Sequence, residues 1–166
     1  MVRFHPRPLK TSGPWLSWQS ASFAMRRSPV QIRQGPHMKS VVICGSRRFK
    51  SEIREFAAKL RALNVIVFEP YLHSGQKEWE ELSEEYRRFI ALGLTHDHFY
   101  KIRMADVVFI YNKDGYSGNS TTLEIGFAMA LGKPIYALSD NDEELCRRVL
   151  FRDFVSSPEK LIQKLI

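Results

Sequence analysis

Short apolar runs alternate with amphipathic stretches from Met38 to the end of the chain, the order expected of β-α-β units around a mainly parallel sheet. Residues 41–44 (VVIC) read as the first strand, 45–49 (GSRRF) as its loop, 51–63 as a helix and 65–68 (VIVF) as a second strand leading into Glu69-Pro70-Tyr71. Residues 79–92 mix Glu, Arg and apolar positions as a helix does, and Thr95 is placed to cap a further helix ending near Met104. Residues 107–111 (VVFIY) are apolar without alternation, which marks a central strand covered on both faces. A loop over 112–119 carries Gly115 and Gly118, and a helix then starts near Ser120 or Thr121 and stops at Gly132. Residues 134–138 give a fourth strand, 142–150 a helix, 154–155 a short edge strand and 157–166 a closing helix opened by Ser157-Pro158. The pattern predicts a single α/β domain, a mainly parallel sheet of about five strands flanked by helices. It contains no internal repeat and no membrane-spanning run.

Charge changes this picture less than the total implies. Six basic residues (Arg3, Arg7, Lys10, Arg26, Arg27, Arg33) and no acid lie in residues 1–37, so only +1 of the formal +7 belongs to residues 38–166. Without the leader, charge gives no support for a nucleic-acid polymer or a membrane as partner. The leader lacks the continuous apolar core of a secretory signal, and its Arg- and Ser-rich, acid-free composition is compatible with a transit peptide. Another reading is preferred. Val30-Gln31-Ile32-Arg33 can be encoded as GTT CAA ATC CGG, which contains the GTTCAAATC of a tRNA T-arm, and Trp15-Leu16-Ser17-Trp18 permits a D-arm-like TGG CTT AGT TGG. The leader thus reads as a tRNA gene translated in frame, with Met38 as the true start and a cytoplasmic protein as the expectation. A disordered tail is the alternative, and either way residues 1–37 are expected to stay out of the core.

Two cysteines, Cys44 and Cys146, are too few and too far apart for a metal cluster or a disulfide framework, and both are expected as buried thiols. His73, His96 and His98 have no second ligand group at zinc spacing, so neither metal nor organic cofactor is expected.

Candidate chemistry gathers in two loops that follow strands, at the carboxyl edge where open α/β sheets bind ligands. In the first, Gly45 allows close backbone approach, Ser46 adds a hydroxyl, and Arg47 and Arg48 could grip a phosphate. Its bland reading is a tight turn with two solvated arginines. The second offers Ser117, Gly118, Asn119 and Ser120 ahead of a helix whose free N–H groups favour anions. Glu124 has two readings: a catalytic carboxylate, or the acid of a Thr121-x-x-Glu124 capping box. Asp106 reads as substrate contact or strand anchor, and His98 as site residue or exposed helix position. Tyr71, Tyr116 and Phe49 could stack on a base or sugar, or belong to the core.

The segment ADVVFIYN…GYSGNSTTLEIGFAMALGKPIY, with CGSRRF after the first strand, resembles the nucleoside 2-deoxyribosyltransferase family, which includes 2'-deoxynucleoside 5'-monophosphate N-hydrolases. The resemblance runs from about Lys39 to Leu138, and its most specific element is the ordered set AD, E-I-G, a small-residue helix and G-K-P-I, with Glu124 18 residues after Asp106. It implies a Rossmann-like, flavodoxin-like domain, a small-molecule nucleotide or nucleoside as substrate, and a homodimer or higher homo-oligomer. By the same resemblance Glu124 is the nucleophile that attacks the anomeric carbon of a deoxyribosyl group. Helix-end N–H groups are expected to keep it ionised.

His98 stands where many members place an Asp, eight residues before Asp106, and as a group titrating near neutrality it could protonate the departing base. Ser46 and Arg48 match the serine and arginine of the monophosphate hydrolases. The acid that transferases carry six residues before the nucleophile is Gly118 here, so the resemblance implies hydrolysis of a nucleoside 5'-monophosphate before base exchange. A related group of nucleotide-sensing proteins shares the G-S-x-R loop and a G-T-x-x-E helix, which makes a non-catalytic nucleotide-binding module the remaining alternative.

Overall fold

A computed structural model describes residues 39–72 and 76–165; the leader, with its proposed boundary at Met38, and His73 lie outside the described residues. Five strands form one all-parallel sheet in the order β2-β1-β3-β4-β5: β1 is Ser40–Gly45, β2 Ile66–Phe68, β3 Val107–Tyr111, β4 Ile135–Ala137 and β5 Asp153–Phe154. Helices α1 (Lys50–Ala62), α2 (Gln76–Glu81), α3 (Glu84–Met104), α4 (Asn119–Ala130), α5 (Leu145–Arg148) and α6 (Pro158–Leu165) make the connections. The chain steps from β1 out to β2 and then returns across to β3, so strand order reverses between β1 and β3, where a ligand crevice is expected at the carboxyl ends.

Side-chain alternation along the strands divides the core into two layers. Val41, Ile43, Val107 and Phe109 pack against Ile53, Phe56 and Leu60 of α1 and Leu161 of α6, with Phe56 and Phe109 stacked at 4.6 Å. Val42, Cys44, Val108 and Ile110 face the other way, against Ile102 of α3 and Ile125 and Ala128 of α4. This layering aims Cys44 at the same helices that carry His98 and Glu124.

The main departure from the sequence pattern is in the middle. The helical stretch breaks at Leu82-Ser83, where the Ser83 hydroxyl accepts from the Tyr86 N–H at 3.3 Å, and α3 then runs unbroken through Thr95. Thr95 is not a cap: in mid-helix its hydroxyl donates to the Ala91 carbonyl at 2.8 Å, so its local hydrogen-bonding capacity is met inside the helix. The helix expected over 142–150 is only the short α5, because Asp142 turns its side chain inward to Arg147. Cys146 is exposed, whereas Cys44 is buried.

Asp106 anchors the amino end of β3. Its carboxylate accepts from both the N–H and the hydroxyl of Ser40 at 2.8 Å, at the opposite end of the sheet from the carboxyl-edge loops. No helix among the described residues is long and apolar enough to cross a membrane.

Candidate active site

A crevice of about 360 Å³ opens at the carboxyl edge. Gly45, Ser46 and Arg47 after β1 form one wall, and Pro70 and Tyr71 after β2 another. One face of α3 (Leu94, Thr95, His98, Phe99) and the start of α4, from Gly118 to Glu124, complete it. Gly45 is required by packing as well as by approach: a Cβ there would sit 3.0 Å from the Ile53 side chain and 3.2 Å from the Tyr111 carbonyl oxygen.

The floor of the crevice is a buried polar cluster. Cys44 Sγ lies 3.4 Å from His98 Nε2, and that nitrogen lies 3.6 Å from Glu124 Oε1, too far for a hydrogen bond. The His98 and Glu124 side chains are only 7% and 13% exposed, and neither His98 Nδ1 nor Glu124 Oε2 has a hydrogen-bond partner. Two unmet polar atoms in one buried site are costly unless something else meets them. Burial pushes the Glu124 carboxyl up to about 7, against a smaller lowering by its hydrogen bond with Cys44. Burial, helped by the charge of Lys101, pushes His98 down to about 4. Desolvation therefore favours the neutral form of both groups, and the Cys44 thiol is raised for the same reason and by the neighbouring Glu124.

These environments correct three expectations. The capping box does not form, because α4 starts at Asn119 with Gly118 as its cap, leaving Thr121 buried as the third helical residue and Glu124 in the second turn. Helix-end N–H groups do not dominate the ionisation of Glu124, since its burial raises the carboxyl instead. His98, neither exposed nor titrating near neutrality, is buried and held neutral.

Seven of the other residues expected to touch substrate, Gly45, Ser46, Arg47, Tyr71, Gly118, Asn119 and Ser120, line the crevice. Three do not. The Arg48 guanidinium lies 3.6 Å over the ring of Tyr116, which itself meets Phe49 edge-on at 6.2 Å. The Ser117 hydroxyl donates to Asp142 at 3.4 Å, and Asp106 is at the far end of β3. Residues 94, 95, 98 and 99 follow helical spacing, a signal present in the sequence but hidden by expecting a break at Thr95. Thr121, also in the lining, carries only the signal of a helix start in the sequence. Cys44, 54 residues from His98, gives no local signal at all.

The α4 start is braced from behind. Buried Asp142 accepts from Arg147 Nη2 at 2.7 Å, and Arg147 Nη1 donates to the Thr122 hydroxyl at 3.3 Å. Gly115, at φ +81°, passes so close to the Asn141 carbonyl that a Cβ would overlap it at 1.6 Å. The potential ligands of Cys44, His98 and Glu124 lie within 4.8 Å of one another, a set capable of holding a metal ion that sequence spacing did not disclose.

Residues 43–162 match the family model described as nucleoside 2-deoxyribosyltransferase. A solved structure of a 2-deoxyribosyltransferase from the psychrotolerant bacterium Bacillus psychrosaccharolyticus aligns with a TM-score of 0.52 at 19% identity, covering 74% of this chain and 89% of that one, a likeness of fold. A conserved protein of Enterococcus faecalis V583 aligns with a TM-score of 0.49 at 16% identity, covering 77% of this chain and 97% of that one. No curated protein sequence matches the chain at a significant level.

Proposed function

The chain belongs to the nucleoside 2-deoxyribosyltransferase family, an enzyme family, and from that premise we propose that it hydrolyses the N-glycosidic bond of 2'-deoxynucleoside 5'-monophosphates with Glu124 as nucleophile. The observation that carries this reading is the Glu124 carboxylate on the crevice floor, with Oε2 buried and unpartnered. Such an oxygen is available to a developing cation at an anomeric carbon.

In the first step the base departs and a Glu124 oxygen bonds to the anomeric carbon, giving a glycosyl-enzyme. The base leaves with a proton drawn from solvent. In the second step water bonds to the same carbon, the ester to Glu124 breaks, and 2-deoxyribose 5-phosphate leaves. His98, held neutral beside the carboxylate, does not act as a charged acid. Burial serves this chemistry because a desolvated carboxylate is a stronger nucleophile, at the cost of a reduced ionised fraction near neutrality.

Ser46, Arg47 and the first N–H groups of α4, which have no side-chain cap, support a phosphate at the crevice rim. Arg48, engaged with Tyr116, shapes that rim from behind. Hydrolysis is favoured over base exchange by the absence of a carboxylate at Gly118. Incubation with deoxynucleoside monophosphates, with and without an added free base, tests both steps: release of base without acceptor supports hydrolysis, and product that forms only with acceptor rejects it. The reading carries with it a protein acting in the cytoplasm as a homo-oligomer.

A further inference from the structure

We propose that Cys44, His98 and Glu124 form a zinc-binding site on the crevice floor, and that zinc inhibits the enzyme by occupying the carboxylate. The three side chains come from β1, α3 and α4, so the fold rather than a local motif brings them together. A tetrahedral zinc ion with bonds of about 2.3 Å to sulfur and about 2.0–2.2 Å to nitrogen and oxygen holds S and N roughly 3.5 Å apart, and N and O roughly 3.4 Å apart. The contacts present are 3.4 Å from Cys44 Sγ to His98 Nε2 and 3.6 Å from His98 Nε2 to Glu124 Oε1. Two of the three ligand pairs therefore already stand near coordination distance; all three atoms lie within 4.8 Å of one another, and binding draws Cys44 and Glu124 to the roughly 3.5 Å that the ion sets between S and O.

Charge makes the same case. One thiolate, one carboxylate and one neutral imidazole cancel the two charges of the ion, so the loaded site buries no net charge. On binding, the Cys44 thiol proton leaves to solvent as the sulfur–zinc bond forms, as does any proton on Glu124. His98 and Glu124 both line the crevice, which gives the ion its route and leaves a fourth position open on that side. The buried Glu124 Oε2 without a partner, the same atom on which the hydrolytic reading rests, also fits a floor built to meet a ligand.

Binding does not depend on the proposed hydrolysis, whereas inhibition rests on Glu124 being the nucleophile, and the test separates them. The full chain is titrated with Co²⁺ alone, following the thiolate-to-cobalt charge-transfer absorption, and Zn²⁺ is then added to displace it. The expected result is one ion per chain, a band that disappears in both Cys44→Ser and Cys44→Ala, and at least tenfold weaker binding in His98→Asn and Glu124→Gln. Cys146→Ser keeps the band. Circular dichroism checks that each variant is folded, and because each ligand is removed separately, loss of one variant leaves the others decisive.

No charge-transfer band on the wild type, or a band that survives loss of Cys44, overturns the site. A band with the expected variant pattern but no zinc inhibition of a measurable base release keeps the site and overturns the inhibition. A band without any base release from the metal-free protein leaves zinc binding standing and contradicts the hydrolase reading.

Discussion

His98 Nε2 stands 3.6 Å from Glu124 Oε1 at the floor of the crevice, with both side chains almost entirely removed from water. That separation is too long for a hydrogen bond, and desolvation holds both partners towards their neutral forms. The catalytic behaviour proposed for the protein follows from this pair.

A nucleophilic carboxylate must be ionised. With Glu124 raised to about 7, kcat/KM is expected to climb with pH along an acid limb centred near pH 7 and then level off. A rate profile from pH 5 to 9 checks this; an acid limb centred near the ordinary glutamate value would remove burial as the controlling influence.

The same pair makes opposite demands on stability. Glu124 has a raised folded-state value, so the folded protein holds more protons than the unfolded chain between about 4.5 and about 7, and its contribution falls as pH rises through that window. His98 has a lowered value, so its contribution rises between about 4 and about 6.5. In wild type the two trends largely offset. Glu124→Gln is expected to leave the His98 trend exposed and to be more stable than wild type at pH 8, by roughly 1–3 kcal/mol. Thermal melts at pH 5 and pH 8 read this directly, and a variant less stable at pH 8 would contradict it.

Arg47 and Arg48, adjacent in sequence, are expected to separate in kinetics. Arg47→Ala should raise KM for a deoxynucleoside monophosphate by about 10–100-fold, the loss of one charge-assisted phosphate contact, while changing KM for the unphosphorylated nucleoside little. Arg48→Ala should have the smaller effect, since its guanidinium lies over Tyr116. Steady-state kinetics with both substrates would show the reverse order if Arg48 carries the phosphate.

Much of this architecture was legible in the chain. The unalternating run VVFIY gave the central strand with its observed bounds, and the order of apolar runs gave the parallel sheet. Glu124, Ser46, Arg47 and the glycine-rich loop were readable because strand–loop–helix units put ligand groups at predictable ends. Thr95 misled because a threonine that bonds its own helix has the same sequence appearance as a cap. The cluster of Cys44, His98 and Glu124 was not readable, since three elements distant in sequence meet only through sheet order and side-chain alternation. Asp106 stands immediately before the central strand in the sequence, and of its two readings the strand anchor is the one its hydrogen bonds to Ser40 match.

The brace behind α4 has its own test. Asp142→Ala removes the buried partner of Arg147 and is expected to cost about 3–5 kcal/mol. Denaturant unfolding measures it; a cost below 1 kcal/mol would mean that Arg147 finds solvent without penalty.

The central claim is tested most directly by incubating the wild-type chain and Glu124→Ala with the four 2'-deoxynucleoside 5'-monophosphates and following free base by chromatography. The expected result is base released by wild type, with the rate lower by about 10³-fold or more in a folded Glu124→Ala. Full activity in that variant, or no release from any of the nucleotides by a folded wild type, would contradict the account.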